Sequence, residues 1–444
     1  PARSEMCIRD SISLMGMTTR LGIDDVRPLI SAGSVASKAV VGEVIPVTAL
    51  VWREGHDAVS ATLSAWAART TATSSVTMQV DPDDQDRVHG VFTPGTQGTW
   101  YFRVDAWSDP IATWKNAVTK KMAAGQSAAE LANDLQHGAE LFSRAALQTP
   151  SDVVEPLFSA ARDLEDESLD VDKRVQVALS EEVAGILHSH PLRDLLVEGA
   201  IHEVYVERPA ALYSSWYELF PRSTGGWDEE GNPVHGTFDT TAKALERVAD
   251  MGFDTVYFPP IHPIGKVHRK GKNNSVVAEP GDVGSPWAIQ DHSTSHPDLG
   301  TMEDFQKLVT RAQELGLEVA LDFALQASPD HPWAKSHPEF FTVLPDGTIA
   351  YAENPPKKYQ DIYPLNFDNA PDAIYHEIYE TLMIWVEAGV STFRVDNPHT
   401  KPANFWDWLI TRVHATHPDV IFLAEAFTRA PRLFGLANAC LLYT

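Results

Sequence analysis

The sequence predicts a multidomain protein: an N-terminal β-sandwich with a helical-bundle insertion, then an incomplete (β/α)8 TIM-type barrel of about five βα units. Three changes of rhythm along the 444 residues carry that expectation. From about 20 to 110, short runs such as Val44–Val51 and Thr99–Ala106 cluster β-branched and aromatic residues between Gly, Asp and Pro turns. From Trp114 to about Leu196 the chain becomes rich in Ala, Leu, Glu, Gln and Lys at helical spacing, with Ala128, Leu131, Leu135 and Leu141 on one stripe. Beyond 209, short apolar runs alternate with amphipathic stretches.

Taken in order, residues 15–112 are expected to form the sandwich and 113–196 the helical insertion, with breaks near Thr149–Pro150 and His190–Pro191. Residues 197–208 serve as a return strand or linker, and 209–437 form the catalytic barrel. The barrel's strand candidates are Leu212–Phe220, Thr255–Ile261, Glu318–Leu325, Val390–Val395 and Val420–Ala426. Helix candidates lie between them at Thr240–Met251, Met302–Leu315, Pro371–Ala388 and Lys401–His417, two of them closed by Gly316 and Gly389. Repeated βα units imply a parallel sheet with right-handed crossovers, open or closed. Polar residues crowd the strand C-terminal ends, where a closed barrel builds its active site. A sheet of about five strands leaves an open edge, so the chain is expected to be truncated at its C-terminus.

The terminal segments 1–14 and 438–444 differ in style from their neighbours and are read as artefact or disordered tails, with a natural start at Met15 or Met17. They hold both cysteines, Cys7 and Cys440. A chain otherwise free of cysteine, with no signal-peptide pattern, is expected in a reducing cytoplasm. The net charge of −26 opposes nucleic acid and anionic membrane. No run approaches the roughly 18 apolar residues of a membrane helix. An anionic substrate must therefore be met by a local basic patch. Two clusters qualify: Lys266 with His268, Arg269, Lys270 and Lys272, and Lys357-Lys358 beside Tyr359. As bare clusters they fit a solvated loop as well as an anion site.

Two acids stand at expected strand ends, Asp396 after Thr-Phe-Arg-Val and Glu425 after Ile-Phe-Leu-Ala, about one strand–helix–strand step apart. Glycosidic-bond chemistry needs such a pair, held about 5 to 5.5 Å apart where configuration is retained. Arg394, on the same strand face as Asp396, keeps that aspartate ionised as a nucleophile. Ala424, Ala426 and Phe427 give Glu425 an apolar setting that raises its pKa, as a general acid requires. Asp330-His331 with His296 and Asp298 lack the spacing of a metal site, and no P-loop or HExxH pattern occurs. No metal or cofactor is expected.

Phe393-Arg394-Val395-Asp396 and Ala424-Glu425-Ala426-Phe427 resemble the nucleophile and acid/base motifs of the α-amylase superfamily, glycoside hydrolase family 13. Leu321-Asp322-Phe323 is similar to its first motif, although Leu325-Gln326 stands where Asn-His is usual. The motif with the third carboxylate is expected beyond the chain end. The stretches Pro259–Gly265, Ala352–Asp361 and Arg394–Pro402 resemble one bacterial branch, the α-1,4-glucan:maltose-1-phosphate maltosyltransferases. That resemblance runs from about Asp25 to Leu436.

It implies a retaining transferase that moves a maltosyl unit from α-maltose 1-phosphate to the non-reducing end of an α-1,4-glucan through a covalent β-glycosyl-enzyme. Asp396 is then nucleophile, Glu425 acid/base and Arg394 their partner. Asn354, Lys357 and Tyr359 match phosphate-holding positions, and Lys266 one near the donor sugar. Asp322, Gln326, Asn397 and His399, with His262 and Asn274, stand on strand-end loops suited to sugar hydroxyls, and Trp216, Tyr217, Trp287 and Trp333 suit stacking or packing. A homodimer is implied too. The alternatives are an amylase-type hydrolase or branching enzyme, which needs no phosphate site, and an inactive glucan-binding protein. The truncated chain itself is expected to be inactive.

Overall fold

The computed structural model describes residues 19–439 and the backbone of Leu442 and Tyr443, but not the side chain of Asn274. The tail expected at 1–14 with Cys7, and Cys440 in the closing tail, lie outside the described residues. The chain divides into two compact units, Pro1–Val206 and Glu207–Thr444.

The first unit holds two antiparallel sheets. One orders its strands Leu21–Arg27, Ile45–Arg53, Arg87–Phe92 and Gln79–Val80. The other orders Ser37–Val40, His202–Glu207, Gly98–Ser108, Val59–Ala67 and Thr73–Thr77, with Asp194–Glu198 also pairing Gly98–Ser108. Period-two alternation sets the faces. Val47, Ala49 and Val51 of one sheet and Leu63, Phe102, Val104 and Val204 of the other enter one apolar core. Val44, expected inside the strand, is exposed just before it.

Helices Pro110–Ala123, Ala128–Gln148, Glu155–Glu165, Val171–Gln176 and Glu181–Ser189 follow, around a core of their own. The first begins before the expected boundary at 113. Asp109 caps it, its carboxylate accepting from the Ala112 N–H at 2.8 Å, and Pro110 fills the first helical position. Ser127 and Glu130 form a capping box on the second helix. Leu131, Leu135 and Leu141 are buried as expected, whereas Ala128, in the first turn, is exposed. The return to the sheet starts at Asp194, inside the range expected to be helical.

The second unit is built on a parallel sheet with strand order Trp216–Glu218, Thr255–Phe258, Glu318–Phe323, Thr392–Asp396, Ile421–Glu425 and Leu442–Tyr443. The last pair falls in the segment read from sequence as an artefact tail. The first strand is far shorter than Leu212–Phe220, because Pro209–Ala211 forms a 3-10 turn and Leu212 and Tyr213 are exposed. Helices Phe238–Asp250, Met302–Glu314, Pro371–Glu387 and Ala403–His414 connect the strands, and Ala430–Asn438 follows the fifth. Their apolar stripes, including Leu245, Phe305, Ile378, Trp385 and Leu409, pack with Phe258, Leu321, Phe393 and Phe422 of the strands. Gly316 and Gly389, at φ +75° and +100°, end two helices in the left-handed region that disfavours a Cβ.

The strands' N-terminal ends are tied together by Arg208, a residue expected in a linker. Its guanidinium pairs with Glu318 (Nη2–Oε2 2.8 Å) and donates to Thr392 Oγ1 at 3.1 Å and the Asp419 carbonyl at 2.7 Å. Neighbouring strands are thereby aligned at one end, which fixes how their opposite ends line up. Among the described residues, no helix is long and apolar enough to cross a membrane.

Candidate functional site

Parallel pairing sets Asp322 opposite Arg394 and Asp396 opposite Glu425 at the C-terminal ends of three adjacent strands. Neighbouring strands lie about 4.8 Å apart, close to the separation that retaining chemistry uses. Arg394 is the hub. Its Nη1 donates to Asp322 Oδ2 at 2.6 Å and Asp396 Oδ1 at 3.2 Å, and its Nη2 meets Glu425 Oε1 at 2.5 Å. One planar, permanently charged group thus contacts three carboxyls.

Exposure grades the three acids. The Asp322 side chain is fully enclosed, Asp396 is 9% exposed and Glu425 27% exposed. Burial pushes Asp322 up to about 7 against the pull of Arg394, and Tyr257 donates its hydroxyl to Asp322 Oδ2 at 2.5 Å. Among the described residues, Asp322 Oδ1 and the buried Trp287 indole N–H each lack a partner in hydrogen-bond geometry. Burial also raises Glu425; Arg394 opposes this, and the adjoining Asp396 adds to it. Phe427, expected to wall Glu425 with apolar surface, is 80% exposed. The upward shift comes from enclosure and a like charge, not from that ring.

Asn397 follows Asp396 at φ +43°, a left-handed conformation that asparagine tolerates better than most residues, and its Nδ2 donates to Asp396 Oδ1 at 3.3 Å. Two residues on, the half-buried His399 has an Nδ1 with no partner among the described residues. Lys401 donates to the Asn397 carbonyl at 3.4 Å; burial pushes its ammonium down to about 8, with Asp396 and Asp322 opposing.

Asn354, Lys357 and Tyr359 lie on a short hairpin, Ala352–Asn354 against Lys357–Tyr359, with Asn354 facing Lys357 in register. Asn354 and Lys357 are exposed and Tyr359 half-buried. Lys270 Nζ sits 5.6 Å from the Tyr359 ring centroid, which brings the two basic clusters together. Asp361 is buried beside Lys270. Arg269, by contrast, is spent on the Ile264 and Gly265 carbonyls. Lys266 is exposed, its backbone N–H held by Asp330, and Gln326 is half-buried in a two-residue bridge with Pro364. These residues stand outside the cluster bonded to Arg394.

His262 is buried and bonded to the Thr294 carbonyl. Trp333 is also buried, bonded to Glu377 and stacked on His292. Both are thereby committed to packing. Sequence reasoning did not single out Tyr257, inside an apolar strand, or Lys401, because nothing local marks either side chain as pointing to the acids.

Two carboxyls joined by one guanidinium at adjacent strand ends make a site chemically equipped for glycosyl transfer by double displacement. Residues 19–208 match the family model described as "Alpha-1,4-glucan:maltose-1-phosphate maltosyltransferase, domain N/S". The chain is 63% identical over 426 residues to the curated maltosyltransferase of that name from Corynebacterium pseudotuberculosis, covering 95% of this chain and 63% of the relative. The Mycolicibacterium smegmatis relative is 57% identical over 449 residues, covering 94% and 64%. Among solved structures, an alpha-amylase from Lactobacillus plantarum is 31% identical over 48% of this chain and 45% of its own, with a TM-score of 0.40. Over nearly all its length the chain is a relative of the α-1,4-glucan:maltose-1-phosphate maltosyltransferases, and it spans about 63% of the length of those it matches.

Proposed function

We propose that the protein is a retaining maltosyltransferase that passes a maltosyl unit from α-maltose 1-phosphate to the non-reducing 4-hydroxyl of an α-1,4-glucan. The observation that carries this is the Arg394 bridge between Asp396 and Glu425 on neighbouring strand ends. The high identity to maltosyltransferases supports the choice of donor. The paired sheets are then a β-sandwich carrying a helical insertion that runs from Pro110 to Ser189, and the parallel sheet is part of a (β/α)8 barrel. A cytoplasmic homodimer is the assembly and location the resemblance implies.

In the first step Asp396 attacks the anomeric carbon, the bond to the phosphate oxygen breaks as Glu425 gives that oxygen its proton, and phosphate leaves with the electron pair. In the second, the acceptor 4-hydroxyl attacks that carbon, Glu425 takes its proton, and the ester to Asp396 breaks. Two inversions retain configuration. Arg394 positions both acids, and Asp322, itself enclosed, positions Arg394 with Tyr257 behind it. Asn397 orients Asp396 from the side, and His399 and Gln326 are left to meet sugar hydroxyls. Asn354, Lys357 and Tyr359 receive the phosphate, and Lys266 lies toward the donor sugar. Phosphate is a good leaving group, so the harder task is excluding water and placing the acceptor.

The test uses the protein extended to the length of its relatives, incubated with glycogen and inorganic phosphate and followed by phosphorus NMR. A new α-maltose 1-phosphate resonance, absent with Asp396→Ala, is expected from the reverse reaction. Reducing sugar or new branches without any phosphate ester would instead mark a hydrolase or branching enzyme.

A further inference from the structure

The loops after the first two parallel strands enclose a second recess that shares no side chain with the Arg394 cluster. It measures about 390 Å3 out to its mouth, and its walls combine Phe220, Pro260 and Ile261 with Arg222, His235 and His296. The recess is mostly apolar with a few convergent polar groups, as small-ligand sites are.

Arg222 is the anomaly. Its Nη1 is hidden from solvent and has no hydrogen-bond partner among the described residues, and the guanidinium rests over the Phe220 ring at 5.4 Å. A cationic N–H removed from water and left unmatched is costly, so such a group is normally paired. The imidazoles of His235 and His296 stack 5.9 Å apart beside it. His296 Nδ1 accepts the Asp298 backbone N–H at 3.2 Å, which makes Nε2–H a free donor in the neutral ring. His235 donates Nδ1–H to the Gly236 carbonyl at 2.7 Å and keeps an Nε2 lone pair that accepts an acidic O–H.

More cationic groups than acids act on His296. Burial lowers the His296 pKa; Asp298, 69% exposed, is the strongest charge opposing this, and His235, Arg269 and Arg222 all press with burial. We propose that this recess binds a small anion through phosphate or carboxylate oxygens, with Arg222 Nη1 and His296 Nε2–H as donors. A divalent cation is the competing occupant, since His235, His296 and Asp298 offer ligand atoms within 4.8 Å of one another. Two nearby guanidiniums disfavour it. The proposal does not depend on the transfer chemistry.

The test is calorimetric titration and thermal unfolding with inorganic phosphate, citrate and zinc in separate arms. It is run in a Lys357→Met background so that binding at the hairpin does not contribute. Saturable phosphate or citrate binding with a raised Tm is expected, lost in Arg222→Met. That variant's own Tm without anion is expected to equal or exceed the parent's, because a hidden, unmatched N–H is gone. Arg222→Lys, which keeps the charge without the fork, is expected to weaken binding about tenfold, and it serves as the readout if Arg222→Met does not fold. Absence of saturable anion binding overturns the proposal, as does an anion response that both Arg222 variants leave unchanged. A zinc response lost in His235→Asn, without an anion response, reassigns the recess to a cation.

Discussion

Asp396 and Glu425 face each other in parallel register at the ends of adjacent strands, and the Arg394 guanidinium contacts both, at 3.2 and 2.5 Å. The same guanidinium also pairs with the enclosed Asp322. Replacing it with lysine preserves the charge but not a planar fork able to reach three carboxyls. Arg394→Lys is expected to lower kcat/KM by at least about a hundredfold, the scale of losing one oriented electrostatic contact. Steady-state transfer kinetics check this.

Glu425→Gln should separate the two half-reactions. Expulsion of phosphate needs little acid help, whereas acceptor attack needs a base to take the hydroxyl proton. The variant is therefore expected to consume donor once and accumulate a maltosyl adduct on Asp396, seen by intact-mass and peptide-mass measurement. Unmodified enzyme after prolonged exposure to α-maltose 1-phosphate would count against these roles.

Lys270 places its ammonium over the ring of Tyr359, one of the residues proposed to receive the phosphate. Lys270→Met keeps most of the apolar stem and removes the charge. KM for the phosphorylated donor is expected to rise roughly tenfold with kcat nearly unchanged, the pattern of lost uniform binding. Affinity for maltose is expected to stay the same, and equilibrium titration of both ligands distinguishes the two.

Three histidines make folding pH-dependent. His331 Nδ1 accepts from the Trp333 N–H, so its Nε2–H donates to His292 Nδ1 at 3.0 Å, and His292 Nε2–H donates to the Ala324 carbonyl at 2.9 Å. That relay admits no extra proton. Burial pushes His262, His292 and His331 each down to about 3, with neighbouring imidazoles adding to the effect. A histidine depressed in the folded state binds fewer protons there than when unfolded. Its stability is complete above the unfolded value near 6.5 and is lost as pH falls toward 3. Each ring then costs up to about 1.4 kcal/mol per pH unit. Urea unfolding at several pH values is expected to show a decline beginning near 6.5, and a shallower one in His292→Asn.

Arg208 tests how the sheet is aligned. Its pair with Glu318 and its bonds to Thr392 and Asp419 span three strands. Arg208→Met is expected to destabilise by about 2–3 kcal/mol, below the cost of breaking a fully buried pair because Glu318 is partly exposed. Chemical denaturation is the measurement.

Much of the molecule was legible in order along the chain. The helices Met302–Glu314 and Pro371–Glu387 lie within one residue of their expected ends, because apolar periodicity and a following glycine are local signals. The first parallel strand was overread, since Leu212 and Tyr213 are apolar yet exposed, and burial is not written in residue type. Asp396, Glu425 and Arg394 stand out in the sequence because strand ends and pairwise spacing show the pattern of a carboxyl pair, and the structure brings the three into contact.

What the sequence determined by itself was which residue types sit at which strand ends: repeating βα units, two acids about one unit apart, and two local basic clusters. Tertiary structure decided their charge states and partners. It sealed Asp322 beneath Arg394, set Tyr257 behind it, laid Lys270 over Tyr359 and left Arg222 Nη1 hidden and unmatched. The physical reason is that periodicity is a property of neighbouring residues. Desolvation and charge pairing depend on distances between residues far apart in the chain, and only packing sets those distances.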